Sequence, residues 1–147
     1  MKRKSNLYQQ MLEYENVLSV SHDVLKKCRN KEESLAFRRA LNTNIYDIIT
    51  RLKNYEYEFS SYRIFLIREP KYRIIMSENL SDKIVNHLIS RYILLPSLEP
   101  VLIDTNVATR VNKGSDYAFK KFCSYVKKIG LDKKIYVLKL DISKYFY

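Results

Sequence analysis

Glycine and histidine are both scarce in this chain of 147 residues. The two glycines, Gly114 and Gly130, cannot build a phosphate-binding loop of the P-loop or dinucleotide type, because such loops need several glycines at fixed spacing. The two histidines, His22 and His87, stand alone. The usual ligand spacings of a zinc site are therefore absent from the sequence.

Cysteine is equally rare, and long apolar runs are missing. Cys28 and Cys123 lie far apart in the sequence and form no metal-spaced pair, so we interpret both as reduced thiols of a cytosolic protein. No apolar run approaches the roughly 18 residues that a membrane-spanning helix needs. The basic start at residues 2–4 is not followed by an apolar signal core. We therefore expect a cytoplasmic protein without a membrane partner.

Positive charge is the most evident feature that the sequence does have. There are 27 Lys and Arg residues against 16 Asp and Glu residues, a formal net charge of +11. Residues 60–147 carry most of this excess. Such a balance suits a polyanionic partner, and nucleic acid is the first candidate. A solvated lysine-rich surface that binds nothing is the alternative, and charge alone does not choose between them.

The spacing of apolar residues predicts a helical first part. We expect a short helix capped by Ser21 and a longer helix over about residues 32–53. The pattern then changes to two β-rich runs, 62–67 and 73–76, separated by a turn that contains Pro70. These runs predict a β-hairpin with basic residues at its turn.

The second half predicts two more helices and a strand. Ser81 should cap a helix that Pro96 ends, and a further helix should open at Gly114 and stop at Gly130. Residues 135–142 are rich in β-branched and aromatic side chains and predict a closing strand. The expected fold class is α+β, with a helical N-terminal region before the hairpin.

Two pairs of basic residues stand where phosphate groups could be bound. Lys71 and Arg73 lie at the predicted hairpin turn, and such a turn offers cations that can reach triphosphate oxygens. Arg110 and Lys113 precede a helix whose N-terminus attracts the phosphates of a template backbone. The alternatives are solvated loop charges in the first case and an ordinary helix cap in the second.

Asp141 ends an otherwise apolar predicted strand. A carboxylate in such a place is costly to bury without a partner, and a hard cation such as Mg²⁺ would satisfy it. Phosphoryl transfer by two metal ions needs carboxylates of this kind. The alternative is an exposed or capping aspartate, which is the commoner case for an isolated residue.

Four segments together resemble the conserved blocks of bacterial reverse transcriptases of the group II intron, retron and diversity-generating retroelement types. FLIREPKYRII (65–75) resembles the first block, and DKIVNHL (82–88) is similar to the helix start that follows it. ATRVNKGS (108–115) resembles the second block. LDISKYF (140–146) is similar to the motif that holds the first palm aspartate.

The resemblance implies the N-terminal part of a right-hand polymerase. It divides the chain into a helical extension (1–60), a fingers region (61–134) that contains the hairpin, and the beginning of the palm (135–147), which contains the first palm strand. The implied activity is RNA-directed DNA polymerisation. The implied partners are an RNA template, a DNA primer, deoxynucleoside triphosphates and Mg²⁺.

The resemblance also implies roles for individual residues. Lys71 and Arg73 would grip the triphosphate, and Phe146 would be the steric gate against a ribose 2′-hydroxyl. Arg110 would contact the template. Asn112 stands where the family often has glycine, although asparagine tolerates the left-handed backbone conformation better than most residues.

The implied metal site is incomplete within these residues. Asp141 would ligate Mg²⁺ through its carboxylate and Ile142 through its backbone carbonyl. The family's second motif, an aromatic residue followed two positions later by two adjacent aspartates, does not occur in the 147 residues. Because one aspartate cannot support two-metal chemistry, we expect this polypeptide by itself to be inactive as a polymerase.

Two other readings remain open. The chain could be a non-catalytic, maturase-like module that binds structured RNA through shape and backbone contacts. It could also be a basic helical domain with no nucleic-acid role. The predicted strand at 135–142 would lack its palm partners within these residues, and an exposed edge of that kind invites pairing with a second chain, so a homodimer is a further hypothesis.

Overall fold

The structure, a computed structural model, describes residues 5–68, 70–130 and 132–143. It confirms the predicted α+β class, since helices are combined with an antiparallel β-hairpin. The chain divides into two units, Met1–Val101 and Leu102–Tyr147. Within the described residues, no helix has both the length and the apolar character needed to cross a membrane.

The first unit begins with four helices: α1 (Leu7–Met11), α2 (Tyr14–Lys27), α3 (Lys31–Arg39) and α4 (Leu41–Lys53). The prediction of one helix over 32–53 is wrong, because the backbone leaves the helical conformation at Ala40 and separates α3 from α4. The predicted cap at Ser21 is also wrong. Ser21 is buried inside α2, where its hydroxyl donates to the carbonyl of Val17 at 2.7 Å. A serine in a helix interior can satisfy its hydroxyl in this way.

The predicted hairpin is confirmed. Strands β1 (Arg63–Ile67) and β2 (Arg73–Ser77) are antiparallel, with Ile67 opposite Arg73 at the turn and Arg63 opposite Ser77 at the base. Large apolar side chains are exposed along both strands: Ile64, Phe65, Leu66, Ile67, Ile74 and Met76. Burial within the unit therefore contributes little to the stability of this two-stranded ribbon, and its attachment to the helices matters more.

A continuous helical path follows the hairpin: α5 (Leu80–Leu88), a π-helical turn (Ile89–Leu94), α6 (Leu95–Leu98) and a 3₁₀ turn (Glu99–Val101). Asn79, not Ser81, caps α5, because its side chain accepts the N–H of Asp82 at 2.8 Å. Pro96 does not end the path as predicted. It lies in the first turn of α6, where the missing N–H of proline is not required.

The core of the first unit is helical. α5 packs against α2, α3 and α4, and Ile84 and Leu88 are fully enclosed. The buried apolar side chains are Met11, Leu12, Val17, Val20, Val24, Leu25, Phe37, Ile45, Ile48, Ile49, Leu52, Leu80, Ile84, Val85 and Leu88. Residues of the hairpin are absent from this set, so the helices form the platform from which the hairpin projects.

The second unit contains α7 (Ser115–Ile129), and both predicted ends of this helix are confirmed. Gly114 precedes its first residue, and Gly130 follows its last with a φ of +98°, a value that glycine adopts without strain. Asn112 has a φ of 59°, which is the left-handed backbone conformation. Asparagine tolerates this conformation better than most residues, as we expected at a position where glycine is frequent.

The predicted strand at 135–142 does not form within the described residues. The segment has no regular secondary structure, and its apolar side chains after Ile135 are exposed, with Tyr136 and Leu138 each 81% accessible. A strand is defined by hydrogen bonds to a neighbouring strand, and the described sheet consists of β1 and β2 alone. A β-rich composition without such a partner is not sufficient.

Candidate functional site

The hairpin turn presents the two cations that we predicted to bind triphosphate. Lys71 lies in the turn, Arg73 opens β2, and both side chains are exposed. Neither forms a salt bridge with another described residue. Arg63, at the other end of the hairpin, is paired with Glu33, with 2.7 Å between Nη2 and Oε2. Among the described residues, the charges of Lys71 and Arg73 at the turn are therefore unpaired, whereas that of Arg63 is paired.

The base of the hairpin is tied to the helical platform through a buried carboxylate. Asp82, in the first turn of α5, is only 2% exposed. Its Oδ1 accepts the hydroxyl of Tyr57 at 2.8 Å, and its Oδ2 accepts the N–H of Ser60 at 2.9 Å. Burial and the bond to Asp82 raise the pKa of Tyr57 above its ordinary value. The segment that leads into β1 is thereby fixed to α5.

Asp82 is a structural anchor that the sequence reasoning missed. The residue stands at the start of the segment 82–88, but the interpretation of that segment concerned only its likeness to a helix start. An aspartate in the first turn of a helix is usually explained by the helix dipole. Its partners Tyr57 and Ser60 lie more than 20 residues away in sequence, so their proximity was not predictable from local pattern.

A second charged cluster organises the loop before α7. The carboxylate of Asp104 contacts Nζ of Lys113 at 2.8 Å and Nζ of Lys121 at 2.7 Å, and it accepts the hydroxyl of Tyr117 at 2.9 Å. These hydrogen bonds, that of Lys113 first, hold the pKa of Asp104 well below its ordinary value. The cluster ties the loop to the first two turns of α7.

The two predicted template-binding residues therefore have partners inside the chain. Arg110 donates from Nη1 to the carbonyls of Ile103 and Asn106, both at 3.0 Å. Lys113 is engaged by Asp104. Both side chains help to hold the loop in its observed conformation, and a template contact by either of them stays a prediction. The sequence reasoning did not include Asp104.

The Asp104 cluster should loosen in acid. The lowered pKa means that its contribution to stability is fully present above 3.8, the ordinary pKa of an aspartate, and is lost progressively as the pH falls below it. We expect the protection factors of the loop amides at 102–114, which correct for the intrinsic pH dependence of exchange, to fall below that pH in the wild type. Asp104→Asn should exchange rapidly already at neutral pH, and equal protection in the two proteins would contradict the assignment.

The predicted metal ligands lie in the segment without regular structure. Asp141 and Ile142 are exposed, and Phe146 lies outside the described residues. Carboxylate and carbonyl oxygens fit Mg²⁺ in kind, because this ion is often held by one or two carboxylates with phosphate and water oxygens completing the shell. The described residues contain no group of three or more side chains that could hold a metal ion. Metal binding by Asp141 stays a prediction.

Comparison with known proteins does not assign the chain to a family. A scan of protein-family models finds no match, and a search of curated proteins finds none either. The functional assignment therefore depends on the motif residues themselves and on where the fold places them.

Proposed function

We propose that this chain is the fingers region and the beginning of the palm of an RNA-directed DNA polymerase. The observation that supports the proposal most directly is the hairpin. Its strands flank the turn of the segment 65–75, and they present Lys71 and Arg73 at the solvent-exposed end without salt-bridge partners in the described part of the chain. This is the arrangement that gripping a nucleoside triphosphate requires.

The two cations suit different parts of that task. The guanidinium of Arg73 can bind two phosphate oxygens at once, whereas the ammonium of Lys71 acts as a compact charge on a flexible stem. Phosphoryl transfer depends mainly on positioning and on charge stabilisation. Residues that hold the triphosphate at the end of a projecting hairpin supply both positioning and positive charge.

The remaining chemistry needs more carboxylates than these residues offer. When bound, Mg²⁺ supplies charge to the triphosphate and activates the attacking and leaving oxygens. Asp141, with the carbonyl of Ile142, provides only part of one ion's shell. The 147 residues by themselves should therefore bind nucleotide and nucleic acid without extending a primer.

The test is binding of a fluorescent deoxynucleoside triphosphate with Mg²⁺ to the 147-residue chain. We expect Lys71→Ala combined with Arg73→Ala to weaken binding at least about tenfold, because charge-assisted hydrogen bonds of about 1.5–3 kcal/mol are removed. The matched control is Lys127→Ala combined with Lys128→Ala on α7, which changes the charge equally. An equal loss in both variants would contradict the proposed site.

The second candidate, a non-catalytic RNA-binding module, is favoured by one observation. Lys120, Lys127 and Lys128 of α7 form no salt bridge with described residues, whereas the nearby Lys121 is neutralised by Asp104. Binding of structured RNA that falls steeply with salt, together with triphosphate binding that the hairpin variant does not change, would favour this module over the polymerase.

A further inference from the structure

A cleft of about 390 Å³ lies at the base of the hairpin, and we call it the hairpin-base cleft. Three parts of the first unit form it: the turn between α2 and α3, the strand residues at the base, and the first turns of α5. Its volume is within the range of about 300–1,000 Å³ that is typical of small-ligand sites. It can therefore enclose a group about as large as one nucleotide.

The side chains that line this cleft carry a net positive charge, even after the ion pair between Arg63 and Glu33 is set aside. Lys27 and Arg29 from the α2–α3 turn and Lys83 from α5 line it, and none of them forms a salt bridge with a described residue. The fourth cation, Arg63, is paired with Glu33 as described above. Three cations from separate parts of the first unit thus line one opening.

One further carboxylate lines the cleft and reduces this charge without cancelling it. Glu78 accepts a hydrogen bond from the side-chain amide of Asn86, which directs one of its oxygens towards α5. Three uncompensated cations remain against this single carboxylate. Phosphate groups are the ligands that several converging Lys and Arg side chains favour.

An aromatic ring completes the site. Phe65 of β1 lines the cleft and remains 49% exposed. Exposed aromatic rings beside cations are the combination by which proteins hold single strands, since bases stack on the ring while phosphates bind the charges. Asn30 offers little base recognition, because its oxygen accepts the N–H of Glu33 and its NH₂ group donates to the carboxylate of Glu33.

We propose that the hairpin-base cleft binds single-stranded nucleic acid, with one base stacked on Phe65 and flanking phosphates on Lys27, Arg29 and Lys83. Recognition is tolerant of sequence, because stacking and charge dominate. The site is separate from the nucleotide-binding turn. The strands are five residues long, so the base and the turn are roughly 13 Å apart, and Phe65 lies midway between them. The proposal holds whether or not the chain belongs to a polymerase.

The first experiment measures the affinity of a fluorescein-labelled ten-residue oligouridylate by anisotropy over a salt series. Lys27→Gln, Arg29→Gln and Lys83→Gln together should weaken binding at least about tenfold and reduce the salt slope by about 2, as expected for three lost phosphate contacts. The control triple variant, with the exposed residues Arg38, Lys53 and Lys133 changed to Gln, has the same charge and should lose less than about threefold. An equal or greater loss in the control would overturn the proposal.

The ring is tested separately by Phe65→Leu, which keeps an apolar side chain on the exposed strand. We expect about a tenfold loss of affinity with an unchanged salt slope, because stacking and not charge is removed. Unchanged affinity would remove Phe65 from the site. The hairpin-turn variant, with Lys71 and Arg73 changed to Ala, should bind the oligonucleotide with an affinity within about threefold of wild type. The oligonucleotide experiment therefore tests the hairpin-base cleft separately from the triphosphate site at the turn.

The two free thiols provide a position-specific readout in the unmodified protein. Cys28 lines the hairpin-base cleft, whereas Cys123 lies on α7 in the second unit. Saturating oligouridylate should slow alkylation of Cys28 by iodoacetamide several-fold, as measured by mass spectrometry, and leave Cys123 unchanged. Protection of Cys123 alone, or of neither thiol, would overturn the placement.

Discussion

Under the proposed function, replacing Asp141 with asparagine should reduce template-directed primer extension by at least about 10³-fold in a polymerase-active polypeptide that contains these residues. The amide is nearly isosteric with the carboxylate, but it is neutral and offers one oxygen, so it cannot offset the charge of Mg²⁺. Because Asp141 is exposed, the thermal unfolding midpoint should be almost unchanged.

The control for this experiment is Asp132→Asn. Asp132 is also an exposed aspartate of the second unit, and the substitution removes the same charge. We expect its extension rate to stay within about twofold of wild type, since surface substitutions away from special features have small effects. Extension retained by the Asp141 variant, or lost equally in both, would exclude Asp141 as a metal ligand.

The hairpin and α7 were predictable because their signals are local. Pro70 separates two β-rich runs, and Gly114 and Gly130 bracket one helical stripe, so neighbouring residues alone define these elements. The same reliance on local signals explains the error at Pro96. A proline usually ends a helix, but a proline in the first turn of a helix does not. Only the structure shows that a π-helical turn ends just before α6 and so puts Pro96 in such a first turn.

The rest depended on partners that are distant in sequence. The composition of 135–142 is that of a strand, yet a strand needs a neighbour, and the described part of the chain supplies none. The charges of Arg110 and Lys113 were visible, but their engagement by loop carbonyls and by Asp104 was not. The candidate site was therefore predictable as a set of charged residues. Only the structure shows which of these charges are neutralised by the fold and which remain available to a ligand.

Asp82→Ala should destabilise the first unit by about 2–3 kcal/mol, the largest effect on stability that we expect from a single polar substitution in this chain. The change leaves the N–H of Ser60 and the hydroxyl of Tyr57 without their acceptor, and each lost partner costs about 1–3 kcal/mol where water cannot replace it. Urea unfolding followed by circular dichroism measures the difference. Asp47→Ala is the control, because Asp47 is exposed on α4 and forms only a long contact with Arg51 at 3.7 Å.

The effect of Asp82→Ala should extend from stability to function, because the same carboxylate fixes the segment that leads into β1. We expect faster amide exchange at residues 57–60 and a loss of oligouridylate affinity at the hairpin-base cleft under conditions in which the helices remain folded. Tyr57→Phe removes one of the two bonds and should cost only about 1 kcal/mol. If Asp82→Ala unfolds no more easily than Asp47→Ala, the buried carboxylate is not the anchor of the hairpin, and other contacts, such as the Arg63–Glu33 pair and the bond from Asn79 to Ser60, hold the base instead.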